Sequence, residues 1–222
     1  MIFGKIDYLN LLPFYVFLKK NLRISTQKQV LSHKKNNPAK INRDFKKRRI
    51  DAAFISSIRA RNEKCTNLGI VAKKEVLSVL LFTGDAKIDN ESETSNVLAQ
   101  LLGLSGEVSI GDKALKQYYA NAEAIDLAQE WHKRTNLPFV FARLCFHNHP
   151  QIIRHLSQKF SQSNVKIPYT IMQKYSKSRQ LTPAQINHYL TKITYTLGPK
   201  EQLSLKKFYR SAQKEYLFRI KQ

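Results

Sequence analysis

Two cysteines in 222 residues, Cys65 and Cys145, are too few for a disulfide framework, and nothing in the composition suggests an oxidising compartment. Glycine and proline are also sparse, seven of each, which excludes collagen-like, linker-rich and low-complexity chains. No long hydrophobic run occurs; the apolar stretch Leu11 to Leu18 is interrupted by Pro13 and is far too short to span a bilayer. The first residues lack the basic leader, apolar core and small-residue cleavage site of an export signal, so a cytoplasmic protein without membrane insertion is expected. No P-loop, G-x-G-x-x-G or other glycine-rich phosphate cradle is found. Acidic residues are the last scarcity: 16 Asp and Glu face 38 Lys and Arg, for a formal net charge of +22.

Such a balance invites nucleic acid or an anionic membrane as partner, but its distribution argues against one binding face. Residues 1–80 carry net +13 and residues 151–222 net +12, whereas residues 81–130 carry net −6. An acidic middle between basic flanks suggests two lobes, the inner one made by an excursion of the chain. The densest basic run, Lys46-Lys47-Arg48-Arg49, sits where a helix should end, and cations there complement the helix dipole while staying solvated. No nucleic-acid motif accompanies it, so no specific nucleic-acid partner is expected.

What is present is an alternation of strand and helix. Ile2 to Ile6 reads as a strand and Leu12 to Lys20 as a buried helix, so Asn10 falls on the turn between them. Open α/β sheets commonly open their ligand crevice at such a turn. Asn37-Pro38 reads as an N-cap with proline in the first turn, and Ile50 to Ile55 as a doubly covered strand. Leu68 to Ala72, Val76 to Phe82, Glu107 to Ile110 and Pro138 to Phe146 read as further strands. Helices are expected over Ser95 to Leu102 and Asp126 to Arg134, and the remainder from Pro150 reads as helical, with a capping box at Thr182 and Gln185. The pattern is that of an α/β protein with largely parallel sheets and a helical C-terminus.

The segment Tyr8-Leu9-Asn10-Leu11-Leu12-Pro13 resembles the Y/F-L-N-x-L-P motif of the chorismate dehydratases of the futalosine route to menaquinone. Further segments agree with that family in order: Ile50 to Ser57, Val76-Leu77-Ser78, Glu93 to Leu102, Ile110 to Leu115, and Leu137 to Ala142 after Asp126 to Trp131. The resemblance implies a two-lobed fold like that of type II periplasmic solute-binding proteins, used without export. The outer lobe is expected at 1–80 plus 143–222 and the inner lobe at 81–142, with crossings near Val79 and Phe141. Only Gly103 to Ser109 separates the Thr-Ser helix from the Ile-Gly-Asp turn, so a shortened inner lobe is expected.

Candidate site residues follow from both sources. Asn10 offers a neutral donor and acceptor at the opening turn, and the resemblance makes it the catalytic candidate. Thr94 and Ser95 stand at a helix N-terminus, where free N–H groups attract a carboxylate, although plain capping would use the same residues. The family match favours substrate binding there and at Ser78, which would otherwise read as a core hydroxyl in a strand. Ser57 ends a buried strand and suits the cleft or a cap equally. Asp112 suits a ligand-side acid or an N-cap equally. Cys145, His147 and His149 alternate along one face, but Pro150 ends the strand and the family uses no metal, so neither metal nor cofactor is expected.

The resemblance implies removal of water from chorismate to give 3-[(1-carboxyvinyl)oxy]benzoate, with chorismate as the small-molecule partner. Asn10 would hold the departing hydroxyl, and Ser78, Thr94 and Ser95 the carboxylates. No His or Glu base stands in the matching motifs, which fits proton removal by the substrate's own side-chain carboxylate, as the family implies. Other readings are the sister naphthoate-forming enzyme, which relies on an inner-lobe histidine, and a non-catalytic small-anion receptor of the same fold. His132 is the one histidine between residues 81 and 142 and lies in a polar helix. Charge alone would support a nucleic-acid binder.

Overall fold

A computed structural model describes residues 1–21, 32–85 and 87–220. The chain opens with strand β1 (Ile2–Lys5), a short 3-10 turn at Leu9–Leu11, and helix α1 (Leu12–Asn21). Every residue of α1 from Phe14 to Leu18 is buried, which explains an apolar sequence without an obvious polar face. Phe14 anchors it, its ring set edge-on to Phe54 at 5.0 Å and to Phe160 at 5.2 Å. Strand β2 (Ser32–Lys35) leads to helix α2 (Pro38–Lys46), capped by the Asn37 side chain accepting from the Lys40 N–H at 2.9 Å. The run Lys46 to Arg49 is exposed at the end of that helix.

Strands β3 (Ala52–Ser56) and β4 (Cys65–Ala72) follow, then β5 (Val79–Thr83), helix α3 (Glu93–Leu101), β6 (Gly106–Ile110) and helix α4 (Gly111–Tyr119). Next come β7 (Ile125–Asp126), α5 (Leu127–Thr135) and β8 (Phe139–Phe146). The C-terminal part is α6 (Pro150–Ser161), α7 (Tyr169–Arg179), α8 (Pro183–Thr191), β9 (Ile193–Thr196) and α9 (Pro199–Ile220).

The strands form two sheets. The larger has the order β2-β1-β3-β8-β4-β9, and the smaller the order β6-β5-β7. Each is covered by helices, giving a larger and a smaller lobe. Val79 belongs to the smaller sheet and all of Phe139 to Phe146 to the larger. The expectation of largely parallel sheets does not hold. Among the described strand pairs, β1–β2 and β1–β3 are the parallel ones; β8 returns from the smaller lobe and inserts between β3 and β4 running the other way. The smaller sheet is antiparallel throughout its described pairs.

Two local readings also change. The Ile193–Thr196 segment, which falls between the helices expected over Pro183 to Thr191 and Gln202 to Phe218 in a remainder read as helical, is an edge strand paired with β4, where its β-branched and aromatic residues suit a pleated surface. Cys65 and Cys145 face each other in the β4–β8 register and are joined by a disulfide with S–S 2.04 Å. A separation of 80 residues hides that pairing from sequence, and it takes the Cys145 sulfur out of the expected row with His147 and His149. His147 instead stacks on Phe45 and its Nε2 lies 2.9 Å from the Phe45 carbonyl. Among the described residues no group of three His, Cys, Asp or Glu is placed to hold a metal ion.

The large sheet closes tightly at Gly69. A Cβ there would stand 2.4 Å from the Ala142 carbonyl oxygen and 2.8 Å from Leu197 Cδ1. Gly69→Ala should therefore cost about 1–3 kcal/mol by overpacking, seen as a fall in melting temperature of roughly 2–12 °C for a chain of this size. An unchanged melting temperature would mean that β4 and β8 are not packed this closely.

Candidate functional site

The turn between β1 and α1 lies at the junction of the lobes, and both lobes grip it. From the smaller lobe, the Asp112 carboxylate at the start of α4 accepts the Leu9 N–H at 2.9 Å. From the C-terminal helices, Arg179 at the end of α7 donates to Asp112 Oδ2 at 2.6 Å and to the Asp7 carbonyl at 2.7 Å. Tyr175 donates to Asp7 Oδ1 at 2.8 Å, and Lys35 pairs with Asp7 Oδ2 at 2.8 Å. Burial is the largest influence on both carboxyls and pushes each up. At Asp7 the Lys35 and Tyr175 hydrogen bonds outweigh it and hold the group below its ordinary range. At Asp112 burial prevails over Leu9 and Arg179, leaving the group above that range.

Tyr8 completes the grip. Its hydroxyl donates to Glu91 in the loop before α3, and its ring lies flat on Gly111. Gly111 has φ +67°, and a Cβ there would meet the Tyr8 ring at 2.7 Å, so both backbone conformation and space require glycine. This is the physical content of the Ile110-Gly111-Asp112 motif: glycine admits the ring, and the aspartate holds the adjacent amide.

Behind the turn is a cavity of about 80 Å³ between the lobes. Its polar lining comes from Tyr8, Asn10, Ser56, Ser78, Ser92 and Ser95, with Glu91 as the one charged side chain among the described lining residues. Asn10 is held by its backbone, whose carbonyl accepts the Tyr195 hydroxyl at 2.7 Å, while its Oδ1 is buried without a hydrogen-bond partner. Such an orphaned acceptor is rare in a folded interior and marks a place where a ligand donor is wanted.

Ser78 reaches the cavity from a turn rather than from a strand. Asp126 accepts the Val76 and Leu77 N–H groups at 2.9 and 2.7 Å, and Leu77 adopts φ +61°. A bulky residue with that φ is strained, and the turn is held in place by the carboxylate. The Ser78 carbonyl accepts from the Gly111 N–H at 2.8 Å, and its hydroxyl lies 2.9 Å from that of Tyr189.

The expected site residues therefore divide. Asn10, Ser78 and Ser95 share the cavity. Ser95 follows the N-cap Ser92, with the two hydroxyls 2.7 Å apart at the N-terminus of α3. Thr94 does not line the cavity; its Oγ1 accepts the Ile58 N–H of the larger lobe at 3.1 Å. Ser57 is fully buried and donates to the Val140 carbonyl at 2.6 Å, whereas its neighbour Ser56 does line the cavity and is held by Asn42. Asp112 is engaged by Leu9 and Arg179. His132 Nδ1 lies 3.3 Å from the Leu137 carbonyl, away from the cavity. Tyr8, Ser56 and Glu91 were not singled out from sequence, although Tyr8 stands inside the most specific motif. Larger depressions of about 650 and 730 Å³ lie on the surface; the first shares Glu91 with the cavity and the second none of its lining.

The grip on the turn has a measurable consequence. Asp112→Ala removes the acceptor of the Leu9 N–H, so that amide should exchange with deuterium at least about tenfold faster, the equivalent of a buried charge-assisted hydrogen bond of ~1.5–3 kcal/mol. Unchanged exchange at Leu9, with only weaker ligand binding, would instead make Asp112 a ligand contact.

Comparison with known proteins agrees with this architecture. The sequence matches the family model described as menaquinone biosynthesis over residues 1–107 and 102–214. It is 45% identical over 219 residues to a chorismate dehydratase of Campylobacter jejuni subsp. jejuni serotype O:23/36 (strain 81-176), covering 96% of this chain and 98% of that one. Among solved structures, protein AF1704 of Archaeoglobus fulgidus superposes with TM-score 0.68 at 14% identity, covering 97% of each chain. The alkanesulfonate-binding protein SsuA of Xanthomonas axonopodis pv. citri superposes with TM-score 0.56 at 11% identity, covering 99% of this chain and 93% of that one. The fold is that of the periplasmic binding proteins, and the chain belongs to the menaquinone biosynthesis family.

Proposed function

We propose that this protein is a chorismate dehydratase, a lyase that removes water from chorismate to give 3-[(1-carboxyvinyl)oxy]benzoate. The observation that carries the reading is the identity to the Campylobacter enzyme along nearly the whole of both chains. The cavity supports it. Loss of the ring C4 hydroxyl and the C3 proton turns a cyclohexadiene into a benzene ring, so the driving force resides in the substrate. The site needs to orient the ring, receive the departing hydroxyl and exclude water. A small cleft between two lobes, lined largely by neutral donors and acceptors, suits that task.

In this reading Asn10 and Ser78 face the departing hydroxyl, and Ser95 with the N-terminus of α3 holds a carboxylate. Thr94 and Asp112 act by closing the lobes around the substrate, and Ser57 by supporting the wall that carries Ser56. The lobes follow residues 1–80 with 143–222 and residues 81–142 except at the crossings, where Val79 and Leu80 belong to the smaller sheet and Phe139 to Ala142 to the larger. A cavity of about 80 Å³ is well below the roughly 300 Å³ at the lower end for ligand sites, so substrate enters when the lobes open. The protein works on a small molecule in the cytoplasm, and its basic flanks form no specific nucleic-acid surface. No described helix is long and apolar enough to cross a membrane.

Purified protein incubated with chorismate should release the aromatic product, followed by absorbance and mass. Asn10→Asp is nearly isosteric but places a carboxylate beside a dianion, and should lower turnover at least about a hundredfold, the usual loss for a transition-state hydrogen bond. Turnover by Asn10→Asp at the parent rate would make Asn10 a turn residue only.

A further inference from the structure

Tyr189 lies behind the cavity wall on α8, 1% exposed, and is absent from the cavity lining. Its hydroxyl is 2.9 Å from Ser78 Oγ. Asn10, on the same cavity, has its Oδ1 buried without a hydrogen-bond partner, an acceptor left open. The Tyr189 hydroxyl has one proton to place. Among the described residues its hydrogen-bond partner is Ser78 Oγ, and a buried hydroxyl without an acceptor is costly. The Tyr189 proton therefore points to Ser78, and the Ser78 proton is turned towards the cavity.

We propose that Tyr189 is a positioning residue that fixes the polarity of the site, so that Asn10 offers an acceptor and Ser78 a donor to one ligand hydroxyl. That pair complements an alcohol with nothing left over. Asn10 Oδ1 accepts a hydrogen bond from the ligand hydroxyl, and the Ser78 hydroxyl donates one to its oxygen as the bond to carbon breaks; both keep their own protons, and the hydroxyl leaves as water with the proton lost from the neighbouring ring carbon. Without the phenol, the Ser78 hydroxyl would be free to turn and could present its oxygen in place of its proton. The alcohol being the C4 hydroxyl of chorismate rests on the function proposed above; the polarity itself does not.

Two measurements test the inference. Tyr189→Phe keeps the ring and removes the oxygen. It should lower kcat at least about tenfold, the scale on which outer hydrogen-bond partners act, with KM within about twofold. Because Tyr189 works through Ser78, the double variant Ser78→Ala/Tyr189→Phe should be no slower than Ser78→Ala alone. A kcat within about twofold of the parent, or effects that multiply in the double variant, would overturn the inference. Neutron diffraction from deuterated parent protein reads the polarity directly: the deuteron on Tyr189 should point at Ser78 Oγ. A deuteron on Ser78 pointing at Tyr189 would overturn it. Failure of the parent to dehydrate chorismate would defeat the function reading alone, since the neutron result still decides the polarity.

Discussion

Residues 7–10 are a short irregular segment whose backbone groups are claimed by three separate parts of the chain, and the cavity exists because of that competition. Asp112 takes the Leu9 amide, Arg179 the Asp7 carbonyl, and Tyr195 the Asn10 carbonyl. Side chains separated from the turn by more than 100 residues thus do what a regular element would do for its own backbone. The result is an Asn10 side chain pinned at its base with its Oδ1 left for a ligand. The Leu9–Asp112 bond crosses between the lobes, whereas Arg179 and Tyr195 hold the turn from within the larger one.

The electrostatics of the cavity contrast with those of the whole protein. The chain carries net +22, yet the described cavity lining holds no Lys, Arg or His. Under the proposed function the two levels have different tasks. A strongly positive surface raises the local concentration of a dianion before it binds. Inside, a hydroxyl and a helix N-terminus hold a carboxylate without a fixed cation that would favour the charged ground state as strongly as the transition state. Glu91, the charged residue of the described lining, accepts from the Tyr8 hydroxyl.

The sequence made the position of Asn10 legible because it depends on local pattern: an apolar strand, a short turn, an apolar helix. Thr94 and Ser95 were legible as a helix start for the same reason, but not their division of labour. One points to Ile58 of the other lobe and the next to the cavity, and only the packing of α3 decides which. Ser78 read as a strand residue because Val76 to Leu80 is apolar throughout; the break at Leu77 comes from Asp126, some 50 residues away. Tyr189 and Tyr195 carry no local mark, since an aromatic on a C-terminal helix or short strand looks like core. The Cys65–Cys145 bond and the antiparallel entry of β8 are likewise properties of long-range register, which periodicity does not encode.

A crystal structure of the protein with the aromatic product bound tests the central claim most directly. The account predicts the ring between the lobes, the Asn10 Oδ1 and Ser78 hydroxyl facing ring C4, and a carboxylate at Ser95 and the N-terminus of α3. Product bound only in the open groove lined by Phe160, Tyr169 and Asn187, with the cavity behind Tyr8 unchanged, would contradict it.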